Sequence, residues 1–335
     1  MEKSQWEFVN RIRVLYSALQ KAIRWCETND ARYFAQEIIE MKIPAPINRL
    51  LVIAAEDVGL ADPTLLSYVG ECLDTFNSLV TEYKIPKNDV SAFPKIRAVV
   101  DRAVIAAALC YKSRLLAMLS SATLFEIYKK ADFGHRLSEY ANRLRAAIQK
   151  PDEREAAYYG YVLGFIPDAE DSLLEIVEQE SKTRNTELIE EWTQEYKKIQ
   201  KQKRTEEEGR LMLAGIISLL CRDLNYSHGE YRNQVSDWLS RPIEKATVPP
   251  RAYDMHTYEG KKKGRGLEHF FNEAATVKDE RFPNDWEEAG KKAHFQAQKE
   301  GVSEADVIKA IKDKVKKARK GKGPPSEYVI DIFDG

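Results

Sequence analysis

Asn48-Arg49-Leu50-Leu51-Val52-Ile53-Ala54-Ala55-Glu56-Asp57-Val58-Gly59-Leu60-Ala61-Asp62-Pro63 is the stretch that decides how this chain is read. An apolar run closes on two acids, a glycine, a third acid and a proline. Glycine leaves a helix most readily through the left-handed region, and proline suits the first turn of the next helix. The stretch predicts a buried helix that stops at Gly59, then a second helix capped by Asp62 with Pro63 in its first turn.

Outward from it, helical spacing dominates. Leu66, Val69, Leu73, Phe76 and Val80 continue the second helix. Upstream, Val9, Ile12, Tyr16, Leu19, Ile23 and Cys26 recur every three or four residues, one apolar face of a helix. Asp30 is expected to cap a short helix bearing Phe34, Ile38 and Met41, broken by Pro44 and Pro46. Downstream, Ile96 to Met118 is apolar on more than one side, the pattern of a central bundle helix. Pro167-Asp168 opens a helix expected to run as far as Arg204, whose later part is a solvated helix or one arm of an antiparallel hairpin. Tyr231 to Ile243 is expected to close the bundle with Val235, Trp238 and Leu239 inward.

Composition shifts at Ala246. From Val248 the chain is poor in aliphatics and carries Lys261-Lys262-Lys263-Gly264-Arg265-Gly266, which reads as a basic arm. A helix with Ser303 and Asp306 as its capping box and Val307, Ile308, Ile311 and Val315 on its apolar face precedes the tail. The expected organisation is a helical bundle over 1–130, a helical extension over 131–247, and the basic arm with two short helices and a tail over 248–335. The expected fold class is all-α.

With 335 residues, 43% of them hydrophobic and 31% charged, the composition is that of a globular protein with a sizeable core. No apolar segment is long enough to span a bilayer, and Met1-Glu2-Lys3-Ser4-Gln5-Trp6 has no signal-peptide core, so a cytoplasmic location and no membrane partner are expected. Cys26, Cys72, Cys110 and Cys221 sit singly among helix formers, as small buried hydrophobes do. A net charge of −1 requires any nucleic-acid contact to be local.

Catalytic patterns are sparse. The Gly-Lys pairs are followed by Lys262, Lys292 and Gly323, so none builds the Gly-Lys-Ser/Thr phosphate loop, and no cofactor is expected. Pro167-Asp168 with Glu180-Ser181-Lys182 matches a metal-dependent nuclease pattern on paper, but that chemistry needs a small sheet, and Leu173, Leu174, Ile176 and Val177 between them read as helix. His256 and His269 lack a metal-ligand spacing. No residue is therefore assigned as catalytic, cofactor-binding or metal-binding.

Binding patterns are richer. Lys261, Lys262, Lys263 and Arg265, with glycines between them and Tyr258, Phe270 and Phe271 on their flanks, have the residue types that track a phosphate chain and stack on bases. Lys309, Lys312, Lys314, Lys316, Lys317, Arg319 and Lys320 give the late helix a second cationic side. Val329-Ile330-Asp331-Ile332-Phe333 is similar to the short peptide with which bacterial proteins dock on the sliding clamp, with Val329 in place of glutamine; Ile330, Ile332 and Phe333 are its anchors.

The segment Arg49-Leu50 through Glu56-Asp57-Val58-Gly59-Leu60-Ala61-Asp62-Pro63 resembles a signature of the replication-associated recombination ATPases of the RarA/MgsA group, relatives of the Werner-helicase-interacting protein. Asn48 stands for the family's first arginine and Ala55 for its serine. Tyr16–Arg24 and Ala31–Ala35 resemble the two helices before that signature, and Lys112-Ser113 resembles a later turn, with Tyr111 in place of proline. The resemblance covers about residues 10–130, including Arg49, Glu56, Asp57, Gly59, Asp62 and Pro63. It implies a collar like that of clamp loaders, which mediates tetramerisation and is not catalytic. The family's ATPase and lid have no counterpart in this sequence, so ATP hydrolysis is not carried over. The expected function is a non-catalytic replication or recombination accessory that oligomerises, or joins a clamp-loader-like ATPase, and binds DNA. The alternatives are a helical assembly protein without a nucleic-acid role and, from the enzyme class, a metal-dependent nuclease.

Overall fold

The computed structural model describes residues 3–41, 46–86, 93–133, 135, 137–167, 169–182, 184–201, 206–224, 227–280 and 285–320. Its helices are α1 (Lys3–Arg24), α2 (Thr28–Glu40), α3 (Pro46–Ile53), α4 (Thr64–Glu82), α5 (Pro94–Leu109), α6 (Leu115–Lys130), α7 (Leu137–Gln149), α8 (Glu153–Phe165), α9 (Glu170–Ser181), α10 (Thr186–Lys201), α11 (Glu206–Cys221), α12 (Arg232–Ser240), α13 (Tyr258–Lys262), α14 (Leu267–His269), α15 (Glu287–Lys299) and α16 (Glu304–Arg319). Among the described residues β pairing is limited to one isolated bridge between Lys112 and Glu280. The fold is all-α.

The chain divides into two compact units, each discontinuous in sequence: 1–115 with 227–284, and 116–226 with 285–335. This differs from the boundaries expected at 130 and 247. The composition does change at Ala246, but the segment after it is not an arm. Ser17 donates to the Ala252 carbonyl at 2.7 Å, Lys21 pairs with Asp254, and Arg24 donates to the Ala274 carbonyl at 2.9 Å. Residues 250–275 are thereby fastened to α1 as part of the first unit.

In that unit α1 packs on α2, α2 and α4 pack on α5, and α12 lies against α5. Leu19, Ile23, Phe34 and Ile38 are buried as their spacing predicts. The central helix is shorter than expected: α5 ends at Leu109 and α6 begins at Leu115, with Lys112 and Ser113 in the turn between them. α2 starts at Thr28, so Asp30 lies in its first turn and is not its cap. Of the inward positions expected on α12, Val235 is buried while Trp238 and Leu239 are half-buried.

In the second unit α10 and α11 pack against each other as a hairpin, and α11 also meets α8. The long helix expected from Pro167 is interrupted at Asn185, which adopts φ 45°. Its side-chain amide donates to the carbonyls of Leu219 and Arg222 at 2.7 and 2.8 Å, satisfying acceptors that the end of α11 leaves open. Trp192 is fully buried and packs against Gly215, where any Cβ would overlap its indole ring. The hairpin closes because residue 215 has no side chain.

Candidate functional site

α3 does not end cleanly at its last apolar residue. It widens into a π turn over Ala54–Val58 and stops at Gly59, whose φ of 49° only glycine adopts without strain. The stop at Gly59 matches the sequence reading, and the π turn is the feature that reading lacked. Widening the turn directs Glu56 and Asp57 toward α1.

Asp57 is fully buried. Arg24 Nε donates to its Oδ1 at 2.5 Å and Gln20 Nε2 to its Oδ2 at 2.7 Å. The Ser113 N–H donates to its backbone carbonyl at 3.0 Å. Glu56 is engaged in the same way: Arg24 Nη2 reaches Oε1 at 3.0 Å, Arg114 Nη2 reaches it at 3.4 Å, and Gln20 Nε2 donates to Oε2 at 3.0 Å. Arg49 stands 3.8 Å from Glu56 and donates to Gln20 Oε1 at 2.9 Å. Arg49 meets Glu56 only at this longer distance, and the closer bonds come from Gln20, Arg24 and Arg114.

Burial pushes the Glu56 carboxyl up, but Arg24, Arg114, Arg49 and the Gln20 amide together outweigh it and hold the group at about 2. Burial works against the charge on Arg24 too, and Asp57 and Glu56 outweigh it, raising that guanidinium further. Arg114 is lowered, first by burial and then by Arg24. All four oxygens of the two carboxylates accept from this chain's own donors. They are committed to a junction joining α1, the π turn and the turn after α5. Removing one partner from such a junction leaves a buried charge unpaired, which costs about 3–5 kcal/mol.

Asp62 has a different task from the one expected. α4 starts at Thr64 with Pro63 before it and no side-chain cap. Asp62 accepts from the Thr64 hydroxyl at 2.7 Å and from the Gly229 N–H at 3.0 Å, fixing the loop that leads into α12.

A second buried ionic layer lies alongside. Lys21 donates to Ser17 Oγ at 3.0 Å and pairs with Asp254, while the His256 N–H donates to Asp254 Oδ1 at 2.9 Å. Burial, then Arg24, pulls the Lys21 ammonium down to about 8 despite Asp254. The His256 side chain is exposed, and its ring meets Phe270 edge-on at 5.3 Å. Lys112 is also fully buried and donates to the carbonyls of Ala108, at 3.2 Å, and Cys110, which compensates the C-terminal end of α5.

The basic tract is built differently. Lys261, Lys262 and Lys263 are exposed at the end of α13, whose Thr257 side chain caps the Gly260 N–H. Gly260 is required because a Cβ there would overlap the Asp254 carbonyl. Arg265 turns inward and donates to the carbonyls of Pro250 at 2.5 Å and Tyr253 at 2.6 Å. Phe270 and Phe271 are buried, so they are core residues and not stacking platforms. The exposed aromatics beside the lysines are Tyr258 and, edge-on to it at 4.8 Å, Trp6.

On α16 Val307, Ile311 and Val315 are buried and the Ser303–Asp306 capping box is present. Lys309, Lys312, Lys316, Lys317 and Lys320 are exposed, whereas Lys314 donates to the Tyr128 carbonyl at 2.6 Å and Arg319 to that of Pro167 at 2.8 Å. Ile330, Ile332 and Phe333 lie outside the described residues, as does Asp168. Glu180 and Ser181 sit on α9 and not on the sheet that the nuclease pattern needs. No group of His, Cys, Asp and Glu among the described residues is arranged to hold a metal.

Cys72, Cys110 and Cys221 are buried, and burial raises Cys72 to about 11 and Cys221 to about 12, so these thiols stay protonated and inert. No helix among the described residues is long and apolar enough to cross a membrane. Comparison of the chain with protein-family models, with curated proteins and with solved structures finds no match.

Proposed function

We propose that this chain is a non-catalytic accessory of DNA replication or recombination, working in the cytoplasm, which oligomerises or joins a clamp-loader-like ATPase through a collar-like bundle and contacts DNA. One observation carries the reading. The separate stretches on which the family resemblance rests, namely α1, Glu56-Asp57 and the turn at Lys112-Ser113, meet in a single buried junction. α2 joins the same unit through Arg32, which makes two bonds to Asp101 on α5 at 3.0 and 2.8 Å. Residues that are distant in sequence and recur together in a signature are those a shared fold would require. The carboxylate oxygens of Glu56 and Asp57 face donors of this chain, which suits a scaffold better than a catalytic centre.

DNA contact falls to Lys261, Lys262 and Lys263, with Trp6 and Tyr258 beside them, and in the other unit to Lys316, Lys317 and Lys320. Exposed ammonium groups displace counterions from phosphates, and exposed rings stack on bases. Arg265, counted with them from the sequence, holds the segment in shape instead.

Affinity for single- and double-stranded DNA across a salt series tests this reading. A steep fall with salt is expected, with the logarithmic slope reduced by up to roughly 3 when Lys261, Lys262 and Lys263 become alanine. A flat salt response, or an unchanged slope in that variant, removes the DNA role. Sedimentation tests assembly separately: a tetramer, or a stable complex with an ATPase partner, is expected, and a strict monomer with no such complex counts against it. Loss of sliding-clamp capture on Phe333→Ala is the expectation for the tail.

A further inference from the structure

Two rings from distant parts of the sequence meet on the surface of the first unit. Trp6, near the start of α1, and Tyr258, at the start of α13, stand edge-on with centroids 4.8 Å apart and planes at 84°. An edge-on contact covers at most one face of one ring. Trp6 remains 36% exposed and Tyr258 45% exposed, so the fold holds both rings together and still leaves them open to solvent.

Cations lie beside them by helical spacing. Lys261 and Lys262 follow Tyr258 by three and four residues along α13, which puts them on its side of the helix, with Cβ atoms about 5–6 Å away. Both lysines are exposed. Just beyond, no atom comes within 4 Å of the place a Cβ would take on Gly264 or Gly266, so the ground next to the lysines is clear.

Charge alone does not favour a single strand here. A duplex carries about one phosphate charge per 1.7 Å of its axis, and each contact releases about 0.9 counterion against about 0.7 for a single strand. Lysines by themselves would therefore hold a duplex at least as well. The rings reverse that order, because a duplex hides its base faces in the stack while an unpaired strand offers them.

We propose that Trp6 and Tyr258, with Lys261 and Lys262, select an unpaired DNA strand over a duplex, bases stacking on the rings while neighbouring phosphates meet the ammonium groups. The inference rests on the DNA contact proposed above and adds which form of DNA this surface takes. The same residue types also occur where proteins lie on anionic membranes. That use needs a broad apolar face, and the exposed Phe8 does not extend this one, since residues two apart on a helix do not face each other. Two rings fit bases better than a bilayer.

The test is the affinity of the full chain for a labelled thymidine oligonucleotide of about 12 residues, alone, annealed to its complement, and as an abasic strand of the same length. The unpaired strand is expected to bind about tenfold tighter than the duplex or the abasic strand at the same salt. Trp6→Ala and Tyr258→Ala, checked for folding by circular dichroism, are each expected to lose most of that preference while keeping the slope of affinity against salt. Tyr258→Phe is expected to keep the preference. Steep salt dependence with equal affinity for strand and duplex would overturn the selectivity and leave the DNA contact standing, whereas no salt-dependent binding of either would remove both. An abasic strand bound as tightly as thymidine, or an unchanged preference in both alanine variants, would also overturn it. So would tighter capture by phosphatidylserine vesicles that Trp6→Ala abolishes. Should an alanine variant fail to fold, the abasic strand decides on the parent chain.

Discussion

Two parts of the first unit concentrate charge, and they use it in opposite ways. At Glu56-Asp57 acids and bases lie inside, each oxygen matched by a donor from another segment. At Lys261–Lys263 the charge lies outside, with acids absent from the lysine run itself. Charge inside a fold has to be matched atom by atom, because desolvation penalises every unpaired group. Charge on the surface is solvated and stays available to a partner. Arg265 stands between the two cases: it belongs to the surface run in sequence but spends its donors on backbone carbonyls.

The contrast makes Asp57 the most sensitive position. Asp57→Ala is expected to lower stability by about 3–5 kcal/mol, measured by denaturant unfolding, because Arg24 would be left buried without its closest acceptor. A cost under about 1 kcal/mol would mean that the junction relaxes freely.

Glu56 gives the next largest effect, and it appears as pH dependence. Its folded carboxyl titrates at about 2 instead of 4.5, so the unfolded chain takes up the proton first as pH falls. The stabilisation is complete above about pH 4.5 and gone by about pH 2, amounting to about 3 kcal/mol. Glu56→Gln is expected to remove this part of the pH profile while leaving the other carboxylates' contributions in place.

The two close-packed glycines sharpen the comparison from the side of shape. Gly215→Ala is expected to cost about 1–3 kcal/mol by forcing Trp192 from its place, and Gly260→Ala is expected to displace the Asp254 backbone. Replacement of Lys261, Lys262 and Lys263 by alanine comes last, with stability expected to stay within about 0.5 kcal/mol of the parent. A larger loss would mean that these lysines belong to the fold.

How much of this is legible in the sequence follows from the range of each interaction. The all-α class, the stop at Gly59 and the capping box of Ser303 rest on neighbours a few residues apart, and they stand as read. Gln20, Arg24 and Arg114 are invisible as partners of Glu56 and Asp57 because they lie 32 to 58 residues away. Arg24 carries a misleading local signal as well: a base in the last turn of a helix ordinarily complements its dipole at the surface. Phe270 and Phe271 mislead similarly, since a low-aliphatic segment hides the fact that its few large apolar residues are its anchors. Lys21–Asp254, 233 residues apart, is the contact that turns an expected arm into part of the core.

The central claim, that Glu56-Asp57 is an internal junction and not a reactive site, is tested most directly by a double-mutant cycle in unfolding free energy with Arg24→Met and Asp57→Asn. The account predicts a coupling of about 2–3 kcal/mol, the double variant being far less damaged than the sum of the singles. Single effects that add to within about 0.5 kcal/mol would contradict it.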